Sequence, residues 1–225
     1  MSAPICFSSR QVLRFRVALL DATGAPDPGA ENGYVSNLVS IAMTPVIEAG
    51  DEFILKDGAG DICASFRDCD KIKGNDAVVT LCNLDAQLIA LMTGAMVFED
   101  ATGVMGLKLP LLNDACPVPV CVEWWTLAQD GSSQATISGV AQYFHFVIPL
   151  VKFVPGSWTF ENGILAVVLN GKGEENPNVT VNGPFNDWPT GVVAADGAKS
   201  ALAYWRESTL PAAACDYIEV TSAAS

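Results

Sequence analysis

Apolar and polar residues alternate in several short segments between residues 39 and 94, with the period of two expected when successive side chains point to opposite faces of a strand. The alternating apolar positions are Val39, Ile41 and Met43, then Ile62, Ala64 and Phe66, and less regularly residues 78–82. This pattern predicts three short strands, each with one buried face. It excludes a mainly helical organisation for this part of the chain.

The tetrapeptide Asp57-Gly58-Ala59-Gly60 predicts a tight turn inside this region. An Asp-Gly pair tolerates the positive φ angles that two-residue hairpin turns require. Residues 53–56 and 62–66 on either side therefore form the two arms of a predicted β-hairpin.

The hydrophobic period changes to that of a helix over residues 84–93. Asn83 can cap its start, Asp85 falls in the first turn where a negative charge is favoured, and Gly94 is placed to end it. The residues expected on one face are Leu84, Leu88, Leu91 and Met92, the last three pointing inward. The sequence thus predicts a mainly β fold, a β-sandwich or barrel-like structure, with one flanking α-helix.

The chain is acidic and poor in charge. It has 25 acidic and 12 basic residues, for a net charge of −13, and only 16% of its residues are charged while 50% are apolar. The densest basic run, Arg10, Arg14 and Arg16, is too sparse to neutralise DNA phosphates. So low a charge indicates a surface largely covered by neighbouring subunits, although composition fits equally well a monomer with an uncharged polar surface.

The remaining segments predict one domain over residues 1–225 with an N-terminal arm, 1–10, and two long loops, 21–36 and 170–191. Residues 11–20 predict a strand with an outer face made basic by Arg14 and Arg16.

In the strand at 120–127, one of Trp124 and Trp125 is expected in the core and the other at an interface. Residues 155–156 are expected to begin a loop. The uncharged stretch 131–151 alternates, so it predicts a strand pair and not a membrane span.

No catalytic, metal or cofactor motif is recognisable. His145 is the only histidine, and the seven cysteines include no C-x2-C pair, so a zinc site is not predicted. The thiols are interpreted as reduced and mostly buried. A cysteine nucleophile paired with His145 is conceivable from residue types alone, but no local signature supports it, and the chain is not predicted to be an enzyme.

Several blocks together resemble the major tail proteins, or tail tube proteins, of long-tailed siphophages that infect actinobacteria. The first group reads VSIAMTPVIEAGDEF at 39–53, GDICASFRDCDK at 60–71 and LCNLDAQLIALMTG at 81–94. The second reads PGSWTFENG at 155–163, EENPN at 174–178, GPFNDWP at 183–189 and LPAAACDY at 210–217. The resemblance covers roughly residues 35–95 and 145–220, and none of its blocks is a catalytic signature.

The resemblance implies a virion structural protein whose subunits form rings, commonly hexamers, that stack into the hollow tube through which DNA reaches the host. The implied partners are further copies of the chain, a tape measure protein and a tail terminator, with no membrane and no cofactor. The implied location is the virion tail, and the host cytoplasm during assembly. Because a channel that repels phosphates prevents DNA from adhering, certain acidic residues without a basic partner are predicted to face the lumen or a seam between rings. These are Asp51, Glu52, Asp57, Asp61, Asp68 and Asp70.

Three alternatives stay open at this stage. A head-tail connector, a tail terminator or a decoration protein would share the composition and the tendency to oligomerise. An extracellular carbohydrate-binding module would share the β content and the tryptophans. A cysteine hydrolase would require a cysteine close to His145.

Overall fold

The structure, a computed structural model, describes residues 8–36, 40–81, 85–109, 117–161, 164–179, 181–189, 201–213 and 215–221. The elements in chain order are β1 (Ser8–Leu19), β2 (Gly29–Ser36), β3 (Ser40–Glu48), β4 (Glu52–Lys56), β5 (Ile62–Arg67), β6 (Lys71–Leu81), α1 (Ala86–Thr93), β7 (Met96–Asp100), β8 (Gly103–Lys108), β9 (Pro119–Asp130), β10 (Ser133–Gln134), β11 (Thr136–Ile137), β12 (Val140–Ala141), β13 (Tyr143–Glu161), β14 (Ile164–Glu174), β15 (Ala203–Glu207) and β16 (Asp216–Val220). The chain is mainly β with one flanking helix, as the sequence predicts.

Ten strands form one antiparallel sheet with the order β16-β2-β1-β9-β13-β14-β6-β3, to which β10 adds beside β9 and β15 beside β13. The long strand β13 changes partners along its length. Its first half pairs with β9 and β15, and its second half pairs with β14. Three separate hairpins lie outside this sheet, namely β4–β5, β7–β8 and β11–β12.

The main core contains side chains from strands that a flat sheet would hold far apart. Phe15 of β1 and Val79 of β6 belong to the same buried cluster, although four steps of strand order separate them. Four steps in a flat sheet amount to roughly 19 Å. The sheet must therefore curve around this core, which is the β-sandwich-like arrangement that the sequence predicts.

Helix α1 closes this core. Leu88 and Met92 are fully buried as predicted, and so is Ile89, which sequence reasoning left out. The Asp85 carboxylate accepts from the Leu88 backbone N–H, so Asp85 is the N-cap and not a first-turn residue. The predicted cap Asn83 and first apolar position Leu84 lie outside the described residues. Gly94 ends the helix in the left-handed conformation, as predicted.

The predicted loop 21–36 is wrong over its second half. Residues 29–36 form β2, which pairs with β1 on one side and β16 on the other. Gly33 stands in this strand for a packing reason, since a Cβ there would lie 2.6 Å from the Ile218 carbonyl oxygen. Residues 8–10 likewise belong to β1 and not to an N-terminal arm. Residues 1–7 lie outside the described part.

The predicted loops in the second half are also shorter than expected. Strand β13 runs through residues 155–156 with only a register shift between Pro155 and Trp158, and β14 continues to Glu174. The described remainder of the 170–191 loop, residues 175–179 and 181–189, folds back on its own chain. There the Asn176 side chain donates to the carbonyls of Gly24 and Pro149, and Trp188 is buried.

Strand β16 adds to the sheet edge beside β2. The single-domain prediction for residues 1–225 stays a prediction. In the described part of the chain, no helix is long and apolar enough to cross a membrane.

Candidate functional site

The hairpin of β4 and β5 forms as the Asp57-Gly58 signal predicts. Phe53 lies directly opposite Phe66, and the Asp57 carboxylate accepts from the backbone N–H groups of Ala59 and Asp61. These two bonds hold the turn that Gly60, at a φ of 94°, completes. The hairpin is therefore built by local chemistry and needs no core to define its register.

Both faces of this hairpin are exposed. The side chains of Phe53 and Phe66 are 64% and 67% exposed, and Ile54, Leu55 and Ile62 are exposed as well. The predicted buried face at residues 62, 64 and 66 is therefore wrong within the single chain. Alternating apolar residues become a buried face only when another segment packs on that face, and no described segment of this chain packs on this hairpin.

All six predicted acidic residues are exposed and lie on this hairpin or at its two ends. Asp57 and Asp61 flank the turn, whereas Asp51, Glu52, Asp68 and Asp70 stand at the base. The expectation that they lack a basic partner is wrong for Asp70, which lies 3.1 Å from the Arg67 guanidinium and also accepts from the Gly50 N–H. The structure thus gathers the six on one projecting element, and the surface that they face in an assembly stays a prediction.

A second exposed apolar hairpin, β7–β8, follows helix α1 directly. Met96 and Met105 are 62% and 71% exposed, and Phe98 is exposed too. The Asp100 carboxylate accepts from the Thr102 N–H and hydroxyl in the turn, which lowers the pKa of Asp100. The sequence analysis does not predict this hairpin. The Asp-x-Thr-Gly turn between Asp100 and Gly103 was the signal that could have shown the hairpin.

Exposed apolar strands of this kind favour association with another protein surface. A monomer rarely leaves several large apolar side chains together in water, because each gains about 1.5–3 kcal/mol when it is fully buried. Hairpins also carry unpaired backbone groups at their outer edges, which can pair with another strand. This surface is therefore suited to binding another protein surface, and its acidic groups limit which partners can approach.

On the opposite side of the sheet from the main core lies a buried charge network, defined here as Arg16, Glu123, His145, Asp187 and Glu207. Arg16 donates twice to the Glu123 carboxylate, through Nε at 2.8 Å and through a second guanidinium nitrogen, and it also pairs with Asp187 at 2.7 Å. His145 Nε2 lies 3.5 Å from Glu123 Oε2, and Nδ1 lies 3.0 Å from Glu207 Oε1. Four strands, β1, β9, β13 and β15, and one turn therefore supply the network.

Three tryptophans enclose this network. The Trp188 indole N–H donates to Glu123 at 2.7 Å, and the Trp125 indole N–H donates to Glu207. The ring of Trp125 stacks on His145 with centroids 3.9 Å apart, and Trp205 lies 4.3 Å from the same ring. Glu123 and His145 at the centre of the network are thus shielded from water, which strengthens the charge interactions there, whereas Asp187 at its edge is exposed.

The surroundings shift the pKa values of the network. Burial opposes ionisation of Glu123, but Arg16 and His145 outweigh it and lower the pKa of Glu123 to about 2. Burial also disfavours a charged His145, yet the carboxylates of Glu123 and Glu207 outweigh burial and raise the pKa of His145 above its ordinary value. Burial likewise disfavours the charged form of Arg16, but the carboxylates of Glu123 and Asp187 outweigh burial and raise the pKa of Arg16 above its ordinary value.

The network corrects two further expectations. Arg16 is buried, so the predicted basic outer face of the first strand is wrong at that position. Trp124 enters the core as expected for one indole, but Trp125 is also buried within the chain and cannot contact a neighbour. His145 is a residue of strand β13, and its ring lies between two carboxylates.

The described cysteines differ from the expectation of mostly buried thiols. Cys121 is buried, and burial raises its pKa well above the ordinary value, which keeps the thiol protonated. Cys63, Cys69 and Cys215 are exposed, and all four are free. Among the residues that the structure describes, no group of three or more His, Cys, Asp or Glu side chains could hold a metal ion.

A scan of the sequence against protein-family models finds no match, and neither does a search of curated proteins.

Proposed function

We propose that this chain is a virion structural protein that assembles into stacked rings, commonly hexamers, to form the hollow tail tube of a siphophage. The observation that carries the proposal is the β4–β5 hairpin, which presents Phe53 and Phe66 to solvent in a chain poor in charge. An assembly that covers this hairpin removes the cost of leaving it in water. The blocks that resemble tail tube proteins include the whole second arm of this hairpin and the first two residues of its first arm.

The sheet supports the same proposal through its two ends. Among the described strands, β3 pairs only with β6 and β16 pairs only with β2. Open strand edges attract other strands, and joining the sheets of several subunits into one barrel removes the edges while it creates a channel. A closed ring of subunits uses this geometry, whereas a monomer leaves the edges exposed.

The acidic balance fits a conduit for DNA. With a net charge of −13, the subunit repels phosphates, so DNA in the lumen slides without the multivalent contacts of nonspecific binding. The acidic group at 51–70 is proposed to face the lumen or a seam between rings. The proposed partners are other copies of this chain, a tape measure protein and a tail terminator, in the virion tail and in the host cytoplasm during assembly.

Electron microscopy of the concentrated, purified protein tests the proposal. Long hollow tubes, together with a mass in light scattering that grows with concentration, are the expected result. A protein that stays monomeric at millimolar concentration would contradict it, and a lumen with neutral or positive potential would contradict the role given to the acidic group. Isolated rings without tubes would favour the alternative of a connector, terminator or decoration protein.

A matched pair of variants locates the contact. In Phe53→Ser/Phe66→Ser both exposed rings of the hairpin are removed, so we expect an unchanged Tm and loss of assembly. In Phe160→Ser an equally exposed ring at the end of β13 is removed, and assembly is expected to persist. Normal tubes from the hairpin variant would exclude this hairpin as the contact.

A further inference from the structure

We propose that His145 is a protonation-dependent clasp that holds strand β15 against the sheet. The ring lies in β13, between Glu123 of β9 and Glu207 of β15, and each of its two nitrogens faces a carboxylate oxygen. This inference concerns the fold of the single subunit and does not depend on the proposed assembly.

Both nitrogens of the ring lie within ion-pair distance of a carboxylate oxygen, and neither contact has hydrogen-bond geometry. A neutral imidazole has one N–H and one lone pair, whereas the imidazolium has two N–H groups. A neutral His145 would therefore point a lone pair at one of the two carboxylates. Only the protonated ring satisfies Glu123 and Glu207 together.

The charges of the network lead to the same conclusion. Glu123 from β9 and Glu207 from β15 face the ring, Arg16 from β1 pairs with Glu123 and with Asp187 from the turns at 181–189, and the Cys121 thiol of β9 is neutral. With His145 protonated, two positive and three negative groups leave a single negative charge, and Asp187 is partly exposed. Loss of the proton leaves a second uncompensated carboxylate in a site closed by tryptophans.

Glu207 is the carboxylate that can leave. Glu123 is held by Arg16 and by the Trp188 N–H, whereas the partners of Glu207 among the described residues are His145 and the Trp125 N–H. Among the described strands, β15 pairs with β13 alone and lies off the main strand order. Release of Glu207 therefore frees an edge strand, carries Trp205 away from His145 and leaves the rest of the sheet paired.

The direction of the effect follows from linkage. The pKa of His145 is raised when β15 is docked and falls when β15 is released, because the Glu207 carboxylate no longer faces the ring. The clasp is fully closed below the pKa of the released form, and opening rises through the interval between the two pKa values, up to about tenfold for each pH unit. Above the pKa of the docked form the dependence on pH ends.

Because the chain has a single histidine, one imidazole Cε1–H signal in the NMR spectrum reports its titration without ambiguity. We expect a midpoint above 6.5 in the wild-type protein. Hydrogen exchange of the β15 amides, corrected for the intrinsic pH dependence, should accelerate as the pH rises towards that midpoint, while the β1 and β9 amides stay protected. A midpoint at or below 6.5, or β15 protection that does not change with pH, would overturn the clasp.

Variants at two carboxylates complete the test. Glu207→Gln removes one of the two charges that face the ring, so the midpoint should fall and the pH dependence of β15 exchange should shrink. Glu219→Gln neutralises an exposed carboxylate on β16 and should leave both unchanged. An unaltered midpoint in Glu207→Gln would show that this pair does not hold the strand.

Discussion

Arg16 and Glu123 stand directly opposite each other in neighbouring strands, and their side chains form an ion pair that is almost fully buried. The register between β1 and β9 and the direction of each side chain together place both charges on the face away from the main core. Two strands are thus joined by charge on one face and by apolar packing on the other.

Removal of one member of this pair should lower the free energy of unfolding by more than the loss of one contact would, because the other charge stays buried without its partner. In Arg16→Met the Glu123 carboxylate stays buried without its main partner, and we expect a loss of about 3–5 kcal/mol in the free energy of unfolding. Urea denaturation followed by tryptophan fluorescence measures it.

The exposed pair Arg67–Asp70 provides the matched control for this measurement. Both of its side chains are at least half exposed, so Arg67→Met should change the free energy of unfolding by less than about 1 kcal/mol. Equal losses in the two arginine variants would mean that burial does not govern the strength of the Arg16–Glu123 pair.

The same pair predicts a loss of stability in acid. The pKa of Glu123 is lowered from 4.5 to about 2 in the folded protein, so its ionised form stabilises the fold above pH 4.5. That contribution is lost as the pH falls from 4.5 towards 2. Urea midpoints measured across this interval should decline steeply in the wild type and less steeply in Glu123→Gln. Parallel profiles would contradict the assignment.

Helix α1 offers a test of the main core. Leu88 is fully buried against the curved sheet, and Leu88→Asp would place a carboxylate there without a partner. We expect no soluble folded protein. Ala90→Glu, at a half-buried position of the same helix, controls for the loss of helix propensity and should remain soluble and folded. A normally folded Leu88→Asp would refute the inward placement of this residue.

Local signals in the sequence gave correct elements. The Asp57-Gly58 turn, the helical spacing ending at Gly94 and the alternation in β1 each depend on neighbours in sequence, so they could be interpreted without a structure. Strand β2 was missed because its glycine and polar residues resemble loop chemistry. Gly33 is required there by the close approach of β16, a partner almost two hundred residues away that no local pattern reveals.

The candidate surfaces could be predicted only in part. The acidic residues near 51–70 were identified from the sequence. The exposure of both faces of their hairpin could not be predicted, because it depends on the fact that no described segment of the chain packs against it. The buried charge network was missed because alternation of Arg14 and Arg16 with apolar residues normally indicates an outer face. Arg16 is buried because the turn containing Asp187 and Trp188 folds back over it, which is a tertiary effect.

Substitution of Gly33 tests whether close backbone approach holds β16 in place. A Cβ at this position would lie 2.6 Å from the Ile218 carbonyl oxygen and 2.8 Å from the Phe185 ring, so Gly33→Ala must push β16 away. We expect a loss of about 1–3 kcal/mol in the free energy of unfolding, and faster hydrogen exchange in β16. Gly106→Ala in β8, where no atom lies within 4 Å of the added methyl, should cost nothing. Equal stability of the two variants would show that β16 tolerates the displacement.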